Sequence, residues 1–579
     1  MPSLSARPTT AALLGLTLSL TLVVTDAGAQ VGQVIGHQKI SAIQGGLVGP
    51  LVHFDVFGTG LEPLGDLDGD GVLDLAVGQY HCDDGGVENS GGVWILFLNA
   101  DGTVKAEQKI SNTHGNFNVS LLQSDHFGSE VANLGDHDGD GITDIMVGCW
   151  HDHEGGQTAT QVGSLYALRL DDDGTVKSHQ KINELNGGFT GVIEDGDHWG
   201  HEVSSIGDFD GDGVVDIVVG AQGDHFGNDI GYVWIGLLNS DQTWKGGQKI
   251  GSGFGGFTGV LELGDYFGCG ATSLGDLDGD GTTDIAVAAR GDDDGGLNHG
   301  AVWILFLNPD GTVKSHTKIT DVSGGFTADI DDNDNFGSTV ASLGDIDGDG
   351  VTDIVATARF DDDGGPDRGA AYILLLNSDG TVKGHTKISD GSGGFTGTLT
   401  DDGELGYAAC AIGDLDGNGA VDIAVSAWWD DEGMTPPDNR AGSVYIFFMG
   451  AEETPWEDLG QALGGTHGDP LLEAEGTLLM GDPVTLSLSN ALELTSTYFV
   501  IGAAQVNLPF YGGTLVPAFE APFGLFVVLP TDGAGELVLP GVWPGGVPSG
   551  VTLTFQHWLI DAGGPFGFAS SNAVAGTVP

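Results

Sequence analysis

The chain has 579 residues, with 83 Asp+Glu against 17 Lys+Arg and a formal charge of −66. Such a surface repels phosphate backbones and argues against nucleic acid as a partner. The 40% of hydrophobic residues, regularly placed, argue against a disordered acidic chain. Four cysteines, Cys82, Cys149, Cys269 and Cys410, fall at different repeat positions, so no disulfide framework is expected and buried free thiols are.

In chain order, residues 1–29 read as a secretory signal peptide. Arg7 supplies the positive start, Ala11 to Val24 the apolar run, and Ala27-Gly28-Ala29 the small-residue cleavage site before Gln30. The run is short for a membrane span. The mature protein is therefore expected to be exported, secreted or at the cell surface, with no transmembrane segment.

Residues 30–450 form a repeat array. The nonapeptide Asp66-Leu67-Asp68-Gly69-Asp70-Gly71-Val72-Leu73-Asp74 recurs with starts at Asp136, Asp208, Asp276, Asp345 and Asp414, spaced by 70, 72, 68, 69 and 69 residues. Acids stand at positions 1, 3, 5 and 9 and glycines at 4 and 6, with Asn418 the one departure. Alternate carboxylates on a tightly turning backbone can converge on one hard cation, and calcium favours such oxygen sets. The expected ligands are the side chains at positions 1, 3, 5 and 9 and the carbonyl at 7. They are Asp66, Asp68, Asp70, Val72 and Asp74; Asp136, Asp138, Asp140, Ile142 and Asp144; Asp208, Asp210, Asp212, Val214 and Asp216; Asp276, Asp278, Asp280, Thr282 and Asp284; Asp345, Asp347, Asp349, Val351 and Asp353; and Asp414, Asp416, Asn418, Ala420 and Asp422. About six calcium ions are expected, with the Asn418 loop the weakest site because it has one charge fewer.

Each unit reads as four strands. Strand A (as Val131-Ala132-Asn133-Leu134) enters the loop, and strand B (Asp284 to Ala288) leaves it as an apolar run buried on both faces. Strand C is aromatic and branched (Ala301 to Phe306), and strand D is a more polar edge (Val313 to Ile319). Four-stranded units repeated radially make a β-propeller. The sixth unit ends after strand C at Phe448, while the mature N-terminus opens with a strand D, Gly36-His37-Gln38-Lys39-Ile40. The N-terminal strand is thus expected to complete the last of six blades.

The loop resembles the calcium-binding hairpin of FG-GAP repeats, the units of the integrin alpha-chain β-propeller. The Phe-Gly pair stands at Phe57-Gly58, Phe127-Gly128, Phe267-Gly268 and Phe336-Gly337, and drifts to Trp199-Gly200 and Leu405-Gly406. Gly220-Ala221-Gln222 comes nearest to the family's Gly-Ala-Pro. The resemblance implies a propeller with metal loops. Integrin propellers have seven blades, so the count of six rests on the repeat arithmetic alone.

From Ala451 to Pro579 there is no Lys or Arg, and 12 of the 20 prolines lie there. Apolar runs such as Val484 to Leu488, Tyr498 to Ile501 and Val551 to Phe555 are separated by Gly/Pro turns, which reads as a small all-β sandwich over 451–579, with Thr454 to Pro470 as a candidate linker.

Strand direction puts the calcium loops and C–D turns on one face and the B–C and D–A loops on the other. The B–C loops vary in length and are acidic (Asp83-Asp84, Asp292-Asp293-Asp294, Asp361-Asp362-Asp363, Asp430-Asp431-Glu432), and Asp125, Asp197, Asp265 and Asp334 stand in the D–A loops. Variable loops on a rigid scaffold are where binding usually resides, although solvated turns have the same composition. His126, His151, His153, His198, His201 and His225 fall near this face without a recurring spacing, so packing or surface roles are expected before a zinc site. Trp94, Trp234 and Trp303 share one strand-C position and are expected in the core rather than as sugar platforms. The function expected is a non-enzymatic extracellular binding or adhesion module for a protein or glycan. The alternatives are a polysaccharide-active enzyme using the acidic loops, and a structural cell-surface or matrix component.

Overall fold

The computed structural model describes residues 32–52, 54–153, 162–223, 229–431, 440–450, 456–460, 462–475, 483–502, 505–510, 513–517, 525–532, 534–542 and 551–577. The signal-peptide reading, His225 and Glu432 lie outside them. The described chain is all-β; its helical content is two three-residue 3-10 turns. No described helix is long and apolar enough to cross a membrane.

Six four-stranded antiparallel sheets fill the repeat region, each with the form of a propeller blade. The first holds β2 (Leu61–Gly65), β3 (Asp74–Gly78), β4 (Gly92–Leu98) and β5 (Val104–Ser111). The second holds β6 (Phe127–Gly135), β7 (Asp144–Cys149), β8 (Ser164–Leu170) and β9 (Val176–Ile182), and the third β10 (Trp199–Gly207), β11 (Asp216–Ala221), β12 (Tyr232–Leu238) and β13 (Trp244–Gly251). The fourth holds β14 (Ala271–Gly275), β15 (Asp284–Ala289), β16 (Ala301–Leu307) and β17 (Val313–Ile319), and the fifth β18 (Phe336–Gly344), β19 (Asp353–Ala358), β20 (Ala370–Leu376) and β21 (Val382–Ile388). The sixth joins β22 (Leu405–Gly413), β23 (Asp422–Ala427) and β24 (Ser443–Gly450) to β1 (Gln33–Ile40), with Lys39 opposite Tyr445.

The sequence explains each strand's place. From the second sheet to the sixth, strand B is buried along its whole length, as its unbroken apolar run requires, whereas strand D of the fourth sheet is buried only at its two ends. The residue at the Phe-Gly position is fully buried in all six sheets, where an aromatic or leucine side chain contributes about 1.5–3 kcal/mol. Its backbone N–H ties each sheet to the one before: Phe127 to Ser90 O, Trp199 to Val162 O, Phe267 to Ile230 O, Phe336 to His299 O and Leu405 to Arg368 O. The sixth such bond runs from Phe57 N to Ala441 O at 2.8 Å, between the first sheet and the last. A glycine before strand C permits the approach: Gly442 sits at φ +84°, and a Cβ there would lie 2.2 Å from the Phe57 carbonyl oxygen. One hydrophobic cluster accordingly mixes Phe57, Leu61 and Leu75 with Cys410, Ala424 and Val444.

The four cysteines are buried and free. Beyond the sixth sheet the described strands form a five-stranded sheet, a three-stranded sheet and a hairpin. Leu472, Val484 and Leu486 of the three-stranded sheet cluster with Phe499, Phe555 and Val574 of the five-stranded one.

Candidate metal centre

Each nonapeptide is the hairpin between strands A and B. Positions 4 and 6 hold glycine at φ +77° to +92° in all six loops, a region ordinary residues resist. The turn lets the position-1 carboxylate cap the loop's own backbone: the position-6 N–H donates to it at 2.7–2.9 Å in every copy. The position-7 N–H donates to the position-5 side chain at 2.7–3.0 Å. The position-9 aspartate opens strand B and is fully buried. One of its oxygens accepts from the position-2 N–H and the other from the last residue of strand C, as Leu67 and Leu98 do for Asp74 at 2.9 and 3.1 Å. Burial pushes this carboxyl up to about 6 in all six loops, against those N–H bonds.

Carboxylate oxygens converge. Those of Asp66, Asp68 and Asp70, and of Asp136, Asp138 and Asp140, lie within 4.8 Å of one another, as do those of Asp208, Asp210 and Asp216, of Asp276, Asp278 and Asp284, and of Asp345, Asp347 and Asp353. This hard, all-oxygen donor set on a fixed turn fits a calcium ion.

A strand-D lysine, which the pattern reading missed, reaches five of these loops. Lys105 Nζ lies 2.7 Å from Asp68 and also contacts Asp70; Lys245 lies 2.5 Å from both Asp210 and Asp212; Lys314 lies 2.6 Å from Asp278 and Lys383 2.7 Å from Asp347; Lys177 bonds Asp140. Hydrogen bonding to the lysine lowers the position-5 carboxyls. Each lysine stands four residues before a second lysine, in the Lys-Ile pair that recurs near the end of strand D (Lys109-Ile110, Lys318-Ile319), the signal that could have revealed it. In the sixth sheet that place is Ile35, and Asn418 instead donates to Met449 O at 2.8 Å. Four acids with one ammonium and three acids with none carry the same formal charge, so charge no longer ranks the sixth loop last.

On the opposite face the acidic loops are internally engaged. Asp152, Asp292, Asp361 and Asp430 are buried, and a second row of strand-D lysines meets them: Lys181, Lys318, Lys387 and Lys39, at 2.5–2.6 Å. In the first sheet the acid's place is taken by Cys82, whose Sγ accepts from Lys109 at 2.9 Å. Asp125, Asp197, Asp265 and Asp334 are buried too, each accepting the N–H three residues earlier at 2.7–2.9 Å. These D–A acids are turn formers, which corrects the expectation of solvated acids there. His126, His151 and His198 do meet beside Trp150, with His126 and His151 stacked at 4.7 Å between ring centroids and His198 tilted against His151 at 5.4 Å. Burial pushes His126 down to about 2 and His151 and His198 to about 4. Trp94 and Trp303 are buried, while Trp234 is half-buried.

The FG-GAP repeat model matches residues 200–235, 270–305 and 336–374, the first three strands of the third, fourth and fifth sheets. The chain carries FG-GAP repeats. It is similar to integrin alpha-PS2 of Drosophila melanogaster, 28% identical over 42% of this chain and 16% of that protein. It is also similar to integrin alpha-V of Gallus gallus, 30% identical over 41% of this chain and 21% of that protein. Integrin alpha-5 of Xenopus laevis is 29% identical over 41% and 20%. The chain thus spans about a fifth of the length of these integrin alpha-like relatives.

Proposed function

We propose that this FG-GAP protein is an exported, calcium-stabilised binding or adhesion module. On this reading residues 1–29 are removed, 30–450 close as a six-bladed propeller, and 451–579 form an appended sandwich. The observation that carries it is the same acid-bearing hairpin at the same corner of all six sheets. Bound calcium would draw together carboxylates that otherwise repel; the holding residues would be positions 1, 3, 5 and 9 with the position-7 carbonyl. The rigid ring then presents its variable loops outward to an extracellular protein or glycan. Tying the B–C aspartates to lysines favours a structural role for those acids over acid–base catalysis. Metal analysis after dialysis in millimolar calcium is expected to approach six ions per chain, and glycan and extracellular-protein arrays are expected to show ligand binding that chelation weakens. A metal content near zero, or no binding to any array ligand, overturns this reading.

A further inference from the structure

Six residues past the position-9 aspartate, just beyond the end of strand B, every repeat places one side chain into a shared cavity. Where the fold residues around it repeat, this column does not: it reads Tyr80, Trp150, Gln222, Arg290, Arg359 and Trp428. All six line one cavity of about 350 Å³ on the face opposite the metal loops, within the size range of small-ligand sites. A second column, two residues past the Phe-Gly aromatic, adds His201 and Tyr407 to its wall.

The cavity's chemistry is unlike the rest of the surface. Every lysine of the chain lies on a strand D, yet two of the few arginines point here. Arg359 lies over the rings of Tyr407 and Trp428, at 5.4 and 5.8 Å, with Glu404 3.9 Å away. Arg290 is held by the Gln222 amide and lies 4.3 Å from the Tyr266 ring centre. Tyr407 and Trp428 stack at 4.2 Å, and the Trp428 indole N–H donates to Glu404 at 2.8 Å. Three polar atoms of the wall, Trp150 Nε1, His201 Nδ1 and Arg359 Nε, are buried without a hydrogen-bond partner. Buried polar atoms ordinarily have partners, and three around one cavity point to a polar guest.

We propose that this shared cavity is the ligand site of the module and takes a carboxylate-bearing pyranose of an acidic polysaccharide. The inference rests on the binding-module reading and names its ligand. Two guanidinium groups set against one glutamate favour a single negative charge, and a guanidinium pairs with a carboxylate through a fork of donors. The aromatic wall of Tyr80, Trp150, Tyr407 and Trp428 offers apolar surface to the C–H side of a sugar ring. The unpartnered indole and imidazole nitrogens supply bonds for its hydroxyls. Deeper in the wall, Glu130 and Glu202 line the cavity, and burial raises both carboxyls, so they add little repulsion.

The test is calorimetric titration of the full, calcium-saturated chain with tetragalacturonate, its carboxyl-reduced neutral counterpart and a sulfated, carboxyl-free dextran. The uronate is expected to bind, to quench tryptophan fluorescence, and to lose affinity by roughly tenfold to a hundredfold in Arg359→Met. Trp150→Phe is expected to lose part of the quench. Melting temperature and calcium content serve to show that each variant is folded. Stronger binding of the neutral or the sulfated sugar overturns the ligand class. Uronate binding unchanged in both Arg359→Met and Arg290→Gln overturns the site. No sugar binding, with a protein ligand still captured, overturns the inference but leaves the binding-module reading standing.

Discussion

Replacing Lys39 by Met tests whether the N-terminal strand holds the last sheet in solution. Lys39 Nζ lies 2.5 Å from Asp430 Oδ2, with the two side chains 13% and 1% exposed, and 5.3 Å from the Tyr445 ring centre. Removing one partner of a buried pair costs about 3–5 kcal/mol, because the other charge stays buried. Asp430 keeps two hydroxyl donors, Ser443 at 2.7 Å and Thr400 at 3.1 Å, which lessen that cost. The expected loss is about 2–4 kcal/mol. It is read as a lower urea midpoint at unchanged slope in saturating calcium. Lys318→Met supplies the reference. Its pair with Asp292 at 2.6 Å is equally buried and lies over Trp303 at 5.1 Å, but it links strands about 25 residues apart, whereas Lys39 and Asp430 stand at opposite ends of the array. If Lys318→Met shows the full loss and Lys39→Met less than about 0.5 kcal/mol, the N-terminal strand is not seated and the argument fails.

Lys314→Met frees a carboxylate pair from its ammonium and is expected to tighten the fourth loop for calcium. Asn418→Asp should tighten the sixth, since ligand charge tunes affinity. Competitive chelator titration reads both, and unchanged retention in both counts against the lysines as counter-cations. Gly442→Ala should cost several times the roughly 1 kcal/mol expected of Gly86→Ala, since both have positive φ but only Gly442 meets a backbone oxygen; equal losses by urea unfolding would refute the junction. Glu62 lines the channel between the sheets, and burial pushes its carboxyl up to about 8. With the folded value raised, the folded state keeps a proton that the unfolded chain releases above about pH 4.3, so stability falls as pH rises from there through about 8. Glu62→Gln should therefore gain on the parent across that window and match it below; parallel pH profiles would sink this.

Strand identity was legible because a period-2 or continuous apolar run constrains only its own segment. The strand D read from Val313 to Ile319 has those bounds in the structure. Strand A is longer than its apolar core, Val131 to Leu134, because the Phe127-Gly128 junction already belongs to it. The six acidic hairpins were legible since their carboxylates are local in sequence. The lysine partners were not, because Lys105 meets Asp70 only once strands C and D fold back across 35 residues. The cavity column was hidden differently: its offset from the loop is constant, but its residue types share no pattern. Beyond residue 450 the apolar runs fall on strands, yet their order, with β25 (Trp456–Gly460) beside β34 (Phe568–Thr577), needed the third dimension.

The confinement of lysine to strand D has a consequence for proteolysis. A protease that cleaves after lysine needs an extended, unpaired segment, and every lysine here lies in a paired strand. From Ala451 to Pro579 such an enzyme, or one that also accepts arginine, has no target at all, even in an unfolded chain. The placement that balances charge within each sheet should also leave the folded protein resistant to a lysine-specific protease.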